Sequence, residues 1–218
     1  MIITIDGPSG VGKSTVSRSV ARILGFIYLD TGAMYRAVAL QVKRHSVDID
    51  DDKWLESLLG RTEIGFRKNM YNELVLTLNN EDITDKIRTP EISRLSSDVA
   101  TKSIVRKKLV ELQLEIGKIG DIVAEGRDMG THVFPDAEFK FYLDAPVEER
   151  MRRRWQQLEQ SGNHAELEDV KNEIMRRDAQ DRERSESPLY PARNAVIIDT
   201  TDLSAHEVTD RIIKEVQG

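Results

Sequence analysis

The chain has 218 residues, 39% of them hydrophobic and 32% charged, a balance that excludes a disordered polymer and suits one globular domain carrying an insertion. Its 32 Lys and Arg stand against 38 Asp and Glu, and the resulting net charge of −6 argues against a nucleic-acid partner held by charge alone. There is no cysteine, hence no disulfide framework or thiolate chemistry, and the 4 histidines, His45, His132, His164 and His206, lack metal-ligand spacing.

In chain order, the apolar run Ile2–Ile5 is the first predicted strand. It begins too early for a leader, and no later run approaches the ~18 apolar residues of a membrane helix, so a cytoplasmic location is expected. GPSGVGKS follows, Gly7, Pro8, Ser9, Gly10, Val11, Gly12, Lys13 and Ser14, with Thr15 next, fitting G-x-x-x-x-G-K-[ST] in full. It opens a helical pattern on Val16, Val20, Ile23 and Leu24. Glycines there let backbone N–H groups wrap phosphate oxygens, and the helix start adds its dipole. Lys13 is expected on the β- and γ-phosphates of ATP, and Ser14 on Mg²⁺.

A second strand, Phe26–Leu29, leads into LDTGAMYRA, Leu29 to Ala37. Here Asp30, Thr31 and Gly32 read as a turn, with Tyr35 and Arg36 one turn into a helix, a cation placed for a second phosphate. From Arg61 to Thr84 the period changes to two: Ile64 and Phe66, then Leu74, Leu76 and Leu78, with Lys68-Asn69 and Asn79-Asn80 as turn chemistry. This predicts a small antiparallel sheet inserted into the α/β core. Thr89-Pro90 starts a helix with an Ile92, Leu95 and Val99 stripe. Another follows Ser103, with Val105, Leu109, Leu112 and Ile116 on one face, and ends near Gly117.

The third strand, Ile122–Ala124, runs straight into EGRDMGT, which places Arg127 beyond the carboxyl end of a strand, where ligands of open α/β sheets sit. After a fourth strand, Phe139–Leu143, comes ERMRRRW, Glu149 to Trp155, and then a polar stretch, Gln156–Glu168, read as a mobile surface segment. In RDAQDRER, Arg177, Asp181 and Arg184 share a helix face that suits a phosphate–sugar unit. The last strand, Ala195–Ile198, precedes a helix with a Ser204/Glu207 capping box. Strands alternating with helices predict a parallel sheet covered on both faces.

The pieces ITIDGPSGVGKST, LDTGAMYRA, SSDVA (Ser96–Ala100), AEGRDMGTHVFPDA, RRDAQDRERSESPL and VIIDTT together closely resemble the bacterial cytidylate kinases, and the likeness spans essentially the whole chain. The resemblance implies a five-stranded parallel P-loop core, 1–59 and 101–218, with an inserted monophosphate-binding subdomain at 60–100 and a lid near 154–170. It implies transfer of the γ-phosphoryl of ATP to CMP or dCMP with Mg²⁺, in a monomer without nucleic-acid or membrane partners. Arg36, Arg127 and Arg184 resemble the clamp on the CMP phosphate, Arg177 and Asp181 the ribose contacts, and Ser97, Arg106 and Asp128 the cytosine readers. Thr31 keeps the hydroxyl of a substrate-binding position where relatives carry serine. Of the lid arginines Arg150, Arg153 and Arg154, Arg154 is the one set beside Lys13, Arg127 and Arg184 as catalytic, although spacing alone does not choose among the three. Asp128 has an alternative use, as a salt-bridge partner that orients Arg127. Two other functions remain open at this point: a P-loop kinase for another nucleotide or small molecule, and a non-catalytic nucleotide switch.

Overall fold

The computed structural model describes residues 1–68 and 74–218. In chain order the elements are β1 (Ile2–Asp6), α1 (Lys13–Leu24), β2 (Ile27–Asp30), α2 (Thr31–His45), α3 (Asp52–Gly60), β3 (Ile64–Lys68), β4 (Leu74–Leu78), β5 (Glu81–Asp82), α4 (Pro90–Val99), α5 (Ser103–Gly117), β6 (Ile122–Gly126), β7 (Phe139–Asp144), α6 (Val147–Gln160), α7 (Leu167–Glu183), β8 (Val196–Asp199) and α8 (Ala205–Gln217). One π-helical turn, Met129–Val133, lies between β6 and β7. The fold is α/β: a five-stranded parallel sheet in the order β2-β6-β1-β7-β8, and a three-stranded antiparallel sheet in the order β3-β4-β5.

All five apolar runs become strands, each ending one or two residues later than its apolar stretch. The reason is visible in the register: Asp6 pairs with Gly126 and with Tyr142, and Asp144 with Asp199. Backbone pairing, not side-chain polarity, decides where a ladder stops. As a result acidic side chains stand at the carboxyl ends of the strands, where the loops of the site begin.

The chain divides into two compact units, Met1–Phe26 with Asp121–Gly218, and Ile27–Gly120. In the first, Ile3, Ile5, Val123, Ala124, Phe141 and Leu143 are buried on the strands, and Val16, Val20, Val208 and Ile212 bury the apolar sides of α1 and α8, which pack together. The Ser204/Glu207 capping box forms as expected. In the second, Pro90 opens α4 behind a Thr89 cap, and Ile92, Val99, Val105 and Leu109 are buried. The antiparallel sheet takes the expected alternation, with Ile64 opposite Leu78 and Phe66 opposite Leu76. Asn79 and Asn80 turn with φ of 49° and 66°, whereas Asn69 lies outside the described residues.

Three local expectations change. Thr31 and Gly32 are the first residues of α2, not a turn, because the Asp30 carboxylate accepts from Ala33 N–H at 2.8 Å and so caps the helix ahead of Thr31. The polar stretch Gln156–Glu168, read as a mobile surface segment, is helical at both ends: α6 continues to Gln160 and α7 starts at Leu167, with 161–166 between them. Trp155 Nε1 donates to Ala165 C=O at 3.0 Å across the connection. Finally, α7 stops at Glu183, and Arg184 leaves it with extended backbone (φ −60°, ψ 140°), so Arg184 does not continue the helical face of Arg177 and Asp181.

Candidate active site

In the first unit, three loops leave the carboxyl ends of adjacent strands: the phosphate loop after β1, Arg127–Thr131 after β6, and the turn into α6 after β7. The phosphate loop is formed as the motif requires. A side chain at Gly7 would place its Cβ 2.2 Å from the Leu143 carbonyl oxygen, so only glycine lets the loop leave β1 against β7. Lys13, the first residue of α1, is buried, and its ammonium donates to the carbonyls of Gly7 at 2.8 Å and Pro8 at 2.7 Å. Burial pulls its pKa well below that of free lysine, and the Arg127 charge acts in the same direction. A polyanion at the loop would reverse that penalty. Ser14 donates to Glu125 Oε1 at 2.7 Å. Glu125 is a buried carboxylate that the sequence placed in a motif without assigning it a task.

Beyond β6 the charges interlock. Arg127 Nε donates to Asp181 Oδ2 at 2.8 Å, and its Nη1 donates to Gly126 C=O at 3.2 Å. Arg184 lies 3.4 Å from Asp128 and 3.7 Å from Asp181, and its Nε donates to Ser187 C=O at 2.7 Å. Burial would push the Asp181 carboxyl up, but Arg127, Arg184 and Arg177 together hold it below the ordinary value. The carboxylate bound to Arg127 is therefore Asp181, and Asp128 stands with Arg184. Lys13, Arg127, Asp128, Asp181 and Arg184 thus form one buried or part-buried cluster of both signs.

Asp6 lies beneath this cluster and was not anticipated. Its carboxylate accepts from Met129 N–H at 3.0 Å and Gly130 N–H at 2.8 Å, fixing the turn that carries Arg127 and Asp128. Burial raises its pKa from 3.8 to about 6, and these two N–H groups only partly oppose the shift. The protonated form is thus favoured in the fold: its contribution to stability is full below pH 3.8 and lost as pH rises through about 6. Relative to Asp6→Asn, the wild type is expected to lose about 3 kcal/mol of unfolding free energy between those limits. Urea unfolding of both proteins from pH 4 to 8 checks this, and a pH-independent difference would contradict it.

ERMRRRW divides its arginines among different tasks. Arg150 is buried and donates to Ala145 C=O, Ser9 C=O and Asp178. Arg153 donates to Thr200 Oγ1 at 3.0 Å and to Thr200 C=O at 2.6 Å. Arg154 Nη1 donates to Gln157 at 2.8 Å.

In the second unit, Arg36 Nη2 lies 3.0 Å from Asp30, the cap of α2, and Thr31 is buried in the first turn. Ser97 is buried on α4. Arg106 is buried on α5, its Nη1 3.5 Å from Ala100 C=O and its Cζ 5.9 Å from the Tyr35 ring centroid. Among the described residues no three His, Asp or Glu side chains form a metal cage, and no helix is long and apolar enough to cross a membrane.

A phosphate loop between the first strand and first helix of a five-stranded parallel sheet defines a P-loop kinase fold. Solved structures agree at that level: a shikimate kinase from Bacteroides thetaiotaomicron matches with TM-score 0.51 at 11% identity, covering 100% of this chain and 99% of that one. A protein from Eubacterium ventriosum matches with TM-score 0.54 at 14% identity, covering 100% and 98%. A family model described as cytidylate kinase matches residues 3–218. A cytidylate kinase of Geobacter sulfurreducens is 46% identical over 212 residues, 97% of this chain and 91% of the relative. Those of Syntrophotalea carbinolica and Bacillus pumilus are 47% and 46% identical, covering 99% and 97% of this chain and 92% and 93% of theirs. The chain belongs to the cytidylate kinase family.

Proposed function

We propose that the chain transfers the γ-phosphoryl group of ATP to CMP or dCMP by direct in-line displacement, giving ADP and CDP or dCDP. Family membership over residues 3–218 carries this reading, and the formed phosphate loop supports it. The acceptor phosphate is largely anionic at neutral pH, so the work is to bring two anions together, not to remove a proton. Lys13 meets the donor phosphates within the loop Gly7–Ser14. Arg127 and Arg184 hold the acceptor phosphate, as does Arg36, with Thr31 nearby on the same helix. Arg177 and Asp181 contact the ribose, and Ser97, Arg106 and Asp128 read the base. Residues 60–100 serve as the monophosphate-binding part and 154–170 as a lid whose closure, with Arg154 as its cation, excludes water.

The donor set fits Mg²⁺. Ser14 and Glu125 offer hard oxygen ligands 2.7 Å apart, of the kind that suits an ion shared with nucleotide phosphates and water. When bound there, the ion would neutralise charge on the β- and γ-phosphates. The reading includes a cytoplasmic location and a monomeric state, the second of which light scattering on the purified chain checks.

ADP release coupled to a detector, with CMP, dCMP, UMP, dTMP and AMP in turn, tests the function. Turnover fastest with the cytidine nucleotides and slower with UMP is expected, and AMP or dTMP as the better acceptor would replace this reading with another kinase. ATP binding with no turnover of any monophosphate would leave a nucleotide switch. Base choice has its own test. Cytosine N4 donates, and the Asp128 carboxylate can accept, whereas uracil presents O4 to the same group. Asp128→Asn should lower the CMP/UMP ratio of kcat/KM by about tenfold, because the amide can donate to O4. An equal loss for both nucleotides would leave Asp128 as the support of Arg184.

A further inference from the structure

Two charged side chains of α6 and α7 are committed beneath the phosphate loop, and the reaction above gives neither a task. Arg150 and Asp178 pair at 2.5 Å, with side chains 6% and 7% exposed. Both grip the same residue of the loop. Asp178 Oδ1 accepts from Ser9 N–H at 3.1 Å, and Arg150 Nη1 donates to Ser9 C=O at 2.9 Å. The other edge of the guanidinium, Nε, donates to Ala145 C=O at 2.8 Å, in the turn before α6. The helix backbone closes in on the same side: a Cβ on Gly10, whose φ is +79°, would lie 2.9 Å from the Arg150 carbonyl oxygen.

We propose that Arg150 and Asp178 are a positioning pair that sets the shape of the phosphate loop at Ser9, and through it the affinity for the triphosphate of the donor nucleotide. Arg150 is then not a lid cation that closes on phosphate. Ser9 has one backbone donor and one backbone acceptor, and the pair satisfies both from outside the loop. Three of the eight loop residues are glycine, so the unbound loop would sample many shapes. Fixing the two peptide groups on either side of the Ser9 Cα restricts the directions that the neighbouring N–H groups can take. A loop held in a binding shape loses less freedom when phosphate arrives. The pair also joins the phosphate loop to the two helices that lie on either side of the connection 161–166, since α6 and α7 pack against each other.

A purely structural pair makes a different prediction. A buried ion pair adds little net stability, and an apolar pair of similar volume replaces it at little cost. If Arg150 and Asp178 only glued α6 to α7, such a replacement would restore everything. If they position Ser9, it would restore folding but leave the Ser9 N–H and C=O without these partners.

The experiment uses the full chain and three measurements: ATP affinity by calorimetry, KM and kcat with CMP varied at saturating ATP, and Tm. Asp178→Asn and Arg150→Lys should each weaken ATP binding about tenfold while KM for CMP stays within about twofold. The double variant Arg150→Met/Asp178→Leu should recover Tm relative to Asp178→Leu alone, yet keep ATP affinity at least about tenfold below wild type. Unchanged ATP affinity in both conservative variants would overturn the inference. So would ATP affinity that recovers together with Tm in the double variant, or equal weakening of ATP and CMP. Because the inference rests on the phosphate loop being the ATP site, the wild type is the control. A wild type that binds no ATP removes that reading, whereas tight wild-type binding with unaffected variants removes only the positioning role.

Discussion

Replacing Lys13 by alanine is expected to lower kcat for CMP phosphorylation by about 10²–10³-fold, the ~3–4 kcal/mol associated with removing one positioned donor from developing charge. The ammonium is buried at the start of α1 and anchored on the carbonyls of Gly7 and Pro8, so its direction is set before any substrate arrives. Burial lowers its pKa, because the site penalises an uncompensated cation. A triphosphate supplies the missing counter-charge, and the transition state, with more charge between donor and acceptor, supplies it best. The same substitution leaves two loop carbonyls without their donor, at about 1–3 kcal/mol for each that water does not reach. Tm must therefore be followed alongside rate. A folded variant with turnover within about tenfold of wild type would remove Lys13 from the donor site.

The sequence made the scaffold legible because period and punctuation both act locally. Thr89-Pro90, Ser204 with Glu207 and the Gly7–Ser14 motif each determine an element by contacts within a few residues, and each is found where expected. The charge network was not legible for the opposite reason. Asp178 meets Ser9 across 169 positions and Asp6 meets Gly130 across 124, and no spacing rule covers such separations. Asp6 did leave a signal, as the one charged residue of the strand IITID. Asp178 left a weaker one: it lies three residues before Asp181 and so on the same side of α7, among arginines that a solvated helix would also carry. ERMRRRW shows the limit most clearly. Four arginines within five residues read alike, yet Arg150 is buried against the phosphate loop, Arg152 pairs with Glu149, Arg153 ties α6 to Thr200, and Arg154 meets Gln157 on its own helix.

Arg127→Ala is expected to cost at least about 10³-fold in kcat/KM for CMP, the low end of what an arginine contributes when it neutralises a transferring phosphoryl group. Of the five N–H donors of its guanidinium, Nε–H goes to Asp181 and one on Nη1 to the Gly126 carbonyl, which leaves a fork for phosphate oxygens. A lysine has no such division of labour. Its ammonium can replace the Asp181 contact or reach the phosphate, so Arg127→Lys should regain only about tenfold of the loss. Stability separates this from mere damage to the site. Asp181 is a buried carboxylate whose pKa is held down against its burial mainly by Arg127 and then Arg184. A depressed pKa contributes stability above the unfolded value of 3.8 that is lost as pH falls through the folded value. Without Arg127 that contribution shrinks, so the Tm gap between wild type and Arg127→Ala should be wide at pH 7 and narrow as the carboxyl protonates. Adding Asp181→Asn to Arg127→Ala should close the gap at pH 7 and leave kcat/KM far below that of Asp181→Asn alone, the reference for the altered ribose contact, because the buried charge is gone while the phosphate still lacks its fork. ATP affinity should stay within about threefold throughout. Recovery of CMP turnover in the double variant would mean that Arg127 serves only to neutralise Asp181, and an equal loss of ATP affinity would move Arg127 to the donor side.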